Sequence, residues 1–219
     1  MRNLETELIQ SHQALFGDYF MEEEEANNFI LEKLNYSQSL VPRRMLNTAQ
    51  RLITLSDEID IIRPGRRDLS IFFLITCIES LYGFIPAVKL KKQEIAIHFF
   101  ENYFNQDDKK IIQESITISG INDEVYYKEE ISMSEFALLM TAIRNNVAHE
   151  GVYWTFHFNE EDYDGRTLNL VKSKLKKDEG YNQITYEVGL TYRQFRNACI
   201  RACISLINDQ FQKIKDSSL

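Results

Sequence analysis

Glycine, proline, cysteine and long apolar runs are all scarce in this chain. Only 8 glycines and 3 prolines occur among 219 residues, which favours an ordered, mostly helical protein over a linker-rich one. The three cysteines form no CxxC pair, so a reducing compartment is expected rather than a disulfide scaffold. The longest apolar run, Ile71 to Ile78, is too short to cross a bilayer. With no signal-peptide character in the first residues, these absences predict a cytoplasmic protein without a membrane partner.

The chain also has no excess of positive charge. The formal net charge is −8, which argues against a general nucleic-acid coat protein, because phosphate binding is driven by Lys and Arg. A small local RNA site remains compatible with this charge. The basic clusters are interpreted as solvated surface, since runs of surface charge are common; they are Arg43-Arg44, Arg66-Arg67, Lys89–Lys92 and Lys172–Lys177.

Apolar periodicity predicts a mostly α-helical bundle with a small antiparallel sheet inserted before the C-terminal helix. We expect a single domain over residues 1–219, made of N-terminal helices (1–40), a helical core (42–151), a β appendage (152–190) and a C-terminal packing helix (191–215). Within the first two parts, helices are expected at Leu4–Phe16, at Met21–Leu34, from Pro42, at Asp68–Phe84, at Lys91–Phe104 and at Asp107–Ile118, with a loop at Gly120–Asn122.

The predicted sheet has two or three strands rich in aromatic and β-branched residues. They are Val152–Phe158, Leu168–Val171 and Ile184–Leu190. His157 lies in the first, close in sequence to His149, but two histidines without a carboxylate or thiol at a defined spacing do not make a metal site, so none is expected. The chain has no glycine-rich phosphate loop and no HExxH pattern, so no cofactor is expected.

The segment Asp68–Phe84 is apolar on almost every side, which is typical of a central helix wrapped by others. Glu79 stands in line with its apolar residues and should point inward. A buried carboxylate needs a partner. The partner is either Arg144 or His149, which would make Glu79 functional, or another cation or solvent at the helix end.

A second helix ends in an unusually polar run. Phe136, Ile143 and three further apolar residues mark its buried face, and Ser132 with Glu135 forms a capping box at its start. Gly151 is a suitable stop, because glycine tolerates the left-handed conformation that ends many helices. The last turns read Arg-Asn-Asn-Val-Ala-His, from residue 144 to residue 149.

Arg144 and His149 would not share a face of a regular helix. Five steps of about 100° leave them about 140° apart around the axis. We therefore expect either that the helix ends or bends between them, or that a second copy of the chain completes the site.

This run resembles the signature of the HEPN superfamily, in which an arginine and an adjacent polar residue are followed a few residues later by a histidine. The matching positions are Arg144, Asn145 and His149. Asn146 and Tyr153 stand beside them and are expected to support the site. The resemblance covers the helical core, about residues 42–151, and not the first forty residues or the β appendage.

The resemblance implies a metal-independent endoribonuclease that acts as a homodimer, with the two motifs facing each other across the interface. RNA supplies its own nucleophile, the 2′-hydroxyl, and the product is a 2′,3′-cyclic phosphate. By this likeness Arg144 stabilises the phosphate, His149 transfers protons and Asn145 positions the groups. These roles suit the residue types, because histidine titrates near neutrality and arginine forks onto phosphate oxygens.

Other partners and functions stay open at this point. An antitoxin or another regulatory protein is a further partner that the resemblance suggests. The chain could instead be a non-catalytic HEPN-like module that binds RNA, a nucleotide or a protein, or a structural helical domain in which the same polar groups only cap a helix.

Overall fold

The computed structural model describes residues 2–85, 89–122, 125–151, 156–174 and 181–217. The described chain is mostly helical and contains one four-stranded antiparallel sheet. The helices are α1 (Arg2–Phe16), α2 (Glu23–Asn35), α3 (Val41–Ile62), α4 (Arg67–Tyr82), α5 (Lys92–Tyr103), α6 (Gln106–Ser115), α7 (Met133–Asn145) and α8 (Tyr192–Asp216), and the strands are β1 (Ile116–Asn122), β2 (Val125–Glu130), β3 (Thr167–Lys174) and β4 (Tyr181–Val188). A short 3₁₀ turn follows α1 (Gly17–Tyr19), and a π turn follows α7 (Asn146–Glu150).

The central helix is α4, as its apolar composition predicts. It contacts α3, α5, α7 and α8, and its buried residues occupy about half of its circumference. The opposite side, which includes Leu69, Phe72, Phe73 and Thr76, is half-buried. Residues from all of these helices join one apolar core with Ile116, Ile118 and Val188 of the sheet.

The sheet is assembled from two hairpins that flank α7 in the sequence. Its strand order is β2-β1-β4-β3, with every neighbouring pair antiparallel. Ile118 of β1 lies opposite Tyr186 of β4, which lies opposite Asn169 of β3. This face of the sheet packs on the bundle, while Leu168 and Leu170 of β3 point outward and are exposed.

The predicted sheet was too small, and the end of one predicted helix was wrong. Helix α6 ends at Ser115, so the expected helix to Ile118 and the expected loop at Gly120–Asn122 are instead parts of β1. Ile116 and Ile118 are β-branched and alternate with Thr117, so an extended chain can bury both of them on one face. Burial of these two side chains against the helical bundle therefore favours a strand over continuation of α6.

The predicted strand at Val152–Phe158 is only partly described. Residues 152–155 lie outside the described part of the chain, and residues 156–158 are not in a strand. Phe156 and Phe158 are nevertheless buried. The buried side chain of Asn169 takes the place of a neighbouring strand, because it accepts from the amide of His157 at 2.6 Å and donates to its carbonyl at 2.9 Å. The other two predicted strands correspond to β3 and β4.

Capping boxes begin both α7, as predicted, and α8. The Ser132 hydroxyl accepts from the Glu135 amide at 3.2 Å, and the Glu135 carboxylate accepts from the Ser132 amide at 2.9 Å. Thr191 and Gln194 make the same pair of bonds at the start of α8. Two otherwise unsatisfied amides are thereby bonded at each helix start, which explains where α7 and α8 begin.

The cysteines are free and buried, as expected for small core residues. Burial raises the pKa of the Cys199 thiol, and a hydrogen bond with Cys77 together with burial raises the pKa of Cys203. In the described part of the chain, no helix is both long enough and apolar enough to cross a membrane.

Candidate functional site

The polar end of α7 is built around a buried arginine. Arg144 occupies the last turn of α7 and is 5% exposed. Its Nη2 atom forms an ion pair with the carboxylate of Glu79 on α4, and its Nη1 atom donates to Asn145 Oδ1 at 2.7 Å. Arg144 is one of the partners that the sequence suggests for Glu79. The pair joins the centre of the bundle to the motif.

Glu79 is held inside the molecule mainly by this contact. Its side chain is 14% exposed, and its Oε1 atom is buried without a hydrogen-bond partner among the described residues. A charge in this position requires its counter-ion, because removing one partner of a buried pair costs about 3–5 kcal/mol. The guanidinium of Arg144 and the carboxylate of Glu79 therefore depend on each other.

The helix changes its geometry between Arg144 and His149. Regular α-helix ends at Asn145, and the amide of Gly151 donates to the carbonyl of Asn146, five residues earlier. Gly151 closes the turn in the left-handed conformation, with φ at 63°, which glycine adopts without steric strain. A π turn spreads one turn over more residues than an α turn. The angle around the helix axis that separates Arg144 from His149 is therefore smaller than the roughly 140° expected in a regular α-helix.

The remaining predicted residues differ in their exposure. Asn145 and Asn146 are half-buried, and His149 is exposed to solvent on the π turn. Arg144 and His149 belong to the same short segment, but neither donates to the other in the hydrogen bonds of the described residues. Tyr153 lies outside the described part of the chain. The structure thus brings Glu79, Arg144 and Asn145 into direct contact and places His149 at the surface beyond them.

A second exposed histidine, His157, lies away from the motif. His157 lines a cavity of about 300 Å³ together with Arg67, Glu160 and Tyr192. Arg67 begins α4 and Glu79 is twelve residues further on, so about 18 Å of helix separates the cavity from the motif. Among the described residues, no three His, Cys, Asp or Glu side chains are grouped so that they could hold a metal ion.

A second polar site, which the sequence reading did not assign, lies between α1 and α3. It is a groove of about 380 Å³, which we call the α1–α3 groove; its lining residues are Leu8, Arg44, Asn47, Thr48, Gln50, Arg51 and Phe84. The one relevant signal in the sequence is the Arg43-Arg44 cluster, which was interpreted as solvated surface. The spacing of Arg44, Asn47 and Arg51, at i, i+3 and i+7, would have placed these three on one helix face.

Comparison of the chain with protein-family models, with curated proteins and with solved structures finds no match.

Proposed function

We propose that this protein is a metal-independent endoribonuclease of the HEPN type, whose site is completed across a homodimer. The observation that carries the proposal is the arrangement at the end of α7. There a buried arginine, held by Glu79 and Asn145, precedes an exposed histidine on a π turn. Departures from regular helix of this kind are frequent at functional sites.

His149 is the acid–base group in this proposal. RNA cleavage by the 2′-hydroxyl requires one group that removes the hydroxyl proton and another that protonates the leaving 5′-oxygen. An imidazole titrates near neutral pH and can serve in either role. The exposure of His149 supports the assignment, because a proton-transfer group must reach the RNA.

Arg144 is the fixed positive group of the site. A guanidinium has five N–H donors, and the ion pair with Glu79 and the bond to Asn145 involve two of its nitrogens. The remaining donors suit the oxygens of a phosphate that gains charge during cleavage. Glu79 and Asn145 act as positioning residues, since they hold the guanidinium in one orientation before RNA binds.

A second copy of the chain would supply the missing acid–base group. The motif contains one histidine, whereas the reaction requires both a base and an acid. A two-fold interface places the same surface of each copy against the other. Two motifs facing each other would thus bring two His149 side chains to one phosphate.

A second candidate is a non-catalytic module of the same fold that binds RNA, a nucleotide or a protein. The specific observation in its favour is that Arg144 is buried and already paired with Glu79. A guanidinium in this state has part of its charge compensated, and its role could be limited to holding α7 on α4.

Cleavage in the absence of metal distinguishes the two candidates. Purified protein is incubated with a single-stranded RNA in EDTA, and the product ends are analysed for a 2′,3′-cyclic phosphate. The ribonuclease proposal requires cleavage with this end group. RNA that is bound but stays intact would contradict it and favour the binding module.

A further inference from the structure

The α1–α3 groove carries two arginines whose charge is not compensated nearby. Arg44 and Arg51 are both exposed on α3, and no carboxylate oxygen lies within 4 Å of either guanidinium in the described part of the chain. Four other arginines, at positions 67, 144, 196 and 201, are each paired with an Asp or Glu. In a chain of net charge −8, this groove is a local site of positive charge suited to an anion.

The two arginines can act on one ligand. They are seven residues apart on α3, which is about two helical turns and about 10 Å along the axis. Positions with this spacing lie on the same face of the helix. Two long side chains from such positions can close on one phosphate from opposite sides, and a guanidinium binds phosphate oxygens in a bidentate manner.

Asn47 stands between the arginines and is held by a buried histidine. The Oδ1 atom of Asn47 lies 2.9 Å from Nε2 of His12, and because Oδ1 can only accept, the imidazole must be the donor. This bond orients the amide and leaves the Nδ2 donor of Asn47 for a ligand in the groove. His12 itself is fully buried, with Nδ1 unbonded among the described residues. Burying an apolar side chain here would cost less free energy than burying an imidazole. We therefore assign His12 the role of positioning Asn47.

The groove also has an apolar wall, and that wall lies near the motif. Leu8 and Phe84 line it beside the polar groups. Phe84 follows the end of α4 and is five residues beyond Glu79, the partner of Arg144. The groove and the motif are therefore at the same end of α4.

We infer that the α1–α3 groove binds one nucleotide unit of the RNA, with its phosphate on Arg44 and Arg51, the Asn47 amide as a further donor, and its base against Phe84. This inference rests on the proposed function, since it takes RNA as the substrate. The groove has the volume of a small-ligand site. A phosphate held by arginines and a base stacked on an aromatic ring is a common way to bind single-stranded nucleic acid without reading its sequence.

The test measures binding rather than cleavage. A short fluorescent single-stranded RNA with 2′-O-methyl groups cannot be cleaved through its 2′-oxygens, and its affinity is measured by fluorescence anisotropy at several salt concentrations. The variant is Arg44→Gln with Arg51→Gln. The control is Arg43→Gln, which removes one positive charge, half the change in the double variant, from an exposed residue of α3 that does not line the groove. Thermal unfolding checks that each variant is folded.

We expect the double variant to bind the RNA about tenfold more weakly or worse, which corresponds to one or more lost charge-assisted contacts. The slope of log K against log salt should also become less steep by about 0.7 for each phosphate contact removed. Asn47→Asp keeps an oxygen for His12 but adds negative charge, and should weaken binding as well. A double variant that is folded and binds within about twofold of Arg43→Gln would overturn the inference.

Competition identifies the part of the ligand that the groove recognises. AMP should displace the RNA at lower concentration than inorganic phosphate does, because only AMP can also contact Phe84. Equal potency of the two would contradict the role given to the base. Because the RNA in this assay is never cleaved, loss of groove binding and absence of ribonuclease activity are separate results.

Discussion

Replacement of Glu79 by Gln tests whether the ion pair with Arg144 holds the motif in place. The variant keeps the size and shape of the side chain and removes only its charge. Both members of the pair are largely buried, with side chains 14% and 6% exposed. Glu79→Gln therefore leaves a buried guanidinium without its counter-ion.

The expected loss follows from the burial of the pair. Loss of one partner of a buried pair costs about 3–5 kcal/mol, and a glutamine that still accepts one hydrogen bond should keep the loss near the lower end, about 3 kcal/mol. For a chain of this size that corresponds to a decrease in Tm of about 6–12 °C. Urea unfolding followed by circular dichroism measures the free energy directly.

Glu114→Gln is the matched control for this experiment. Glu114 pairs with Lys110 on the exposed side of α6, and exposed pairs of this kind are worth at most about 1 kcal/mol. A Glu79→Gln variant whose unfolding free energy equals that of the Glu114→Gln control would show that the ion pair does not stabilise the protein. A double variant, Glu79→Leu with Arg144→Met, should be more stable than Glu79→Leu alone, because no buried charge is then left unpaired.

Three further predictions follow from the site and its surroundings. Arg144→Lys should lower both stability and RNA cleavage, since a single ammonium cannot reproduce the fork that reaches Glu79 and Asn145; urea unfolding and a cleavage assay measure the two losses. Burial lowers the pKa of His12 below its ordinary 6.5, so as the pH falls the unfolded chain takes up a proton on this residue before the folded protein does. His12 should therefore reduce the free energy of unfolding as the pH falls through and below about 6.5, and His12→Gln should remove that part of the pH dependence in urea unfolding. An unchanged slope of unfolding free energy against pH between pH 7.5 and 5.5 would contradict this prediction. The protein should sediment as a dimer at micromolar concentration, and a fully active monomer would exclude a site shared between two chains.

The sequence predicted the helices and their starts because the relevant interactions are local. Ser132 and Glu135 are three residues apart, as are Thr191 and Gln194, and each pair bonds within one turn. The apolar character of the Asp68–Phe84 segment likewise predicted that α4 is central. The end of α6 was missed because Ile116 and Ile118 are buried by contacts with the bundle, which a local pattern does not show.

The candidate site was predictable in its residues but not in its geometry. Alignment with apolar residues indicated that Glu79 points inward, and Arg144 was among its expected partners. The π turn could not be predicted, since it depends on a hydrogen bond between Gly151 and Asn146 that a regular helix would not make. The groove was missed because the His12–Asn47 bond joins residues 35 positions apart.

The central claim is that His149 transfers protons during metal-independent RNA cleavage, and the direct measurement is the cleavage rate of His149→Ala in EDTA. His157→Ala is the matched control, because it removes another exposed imidazole, in the cavity beside Arg67 at the opposite end of α4 from the motif. We expect His149→Ala to lose at least about a hundredfold in rate, the usual contribution of an acid–base group, and His157→Ala to cleave like the unaltered protein. RNA cleavage that persists unchanged in His149→Ala would contradict the account.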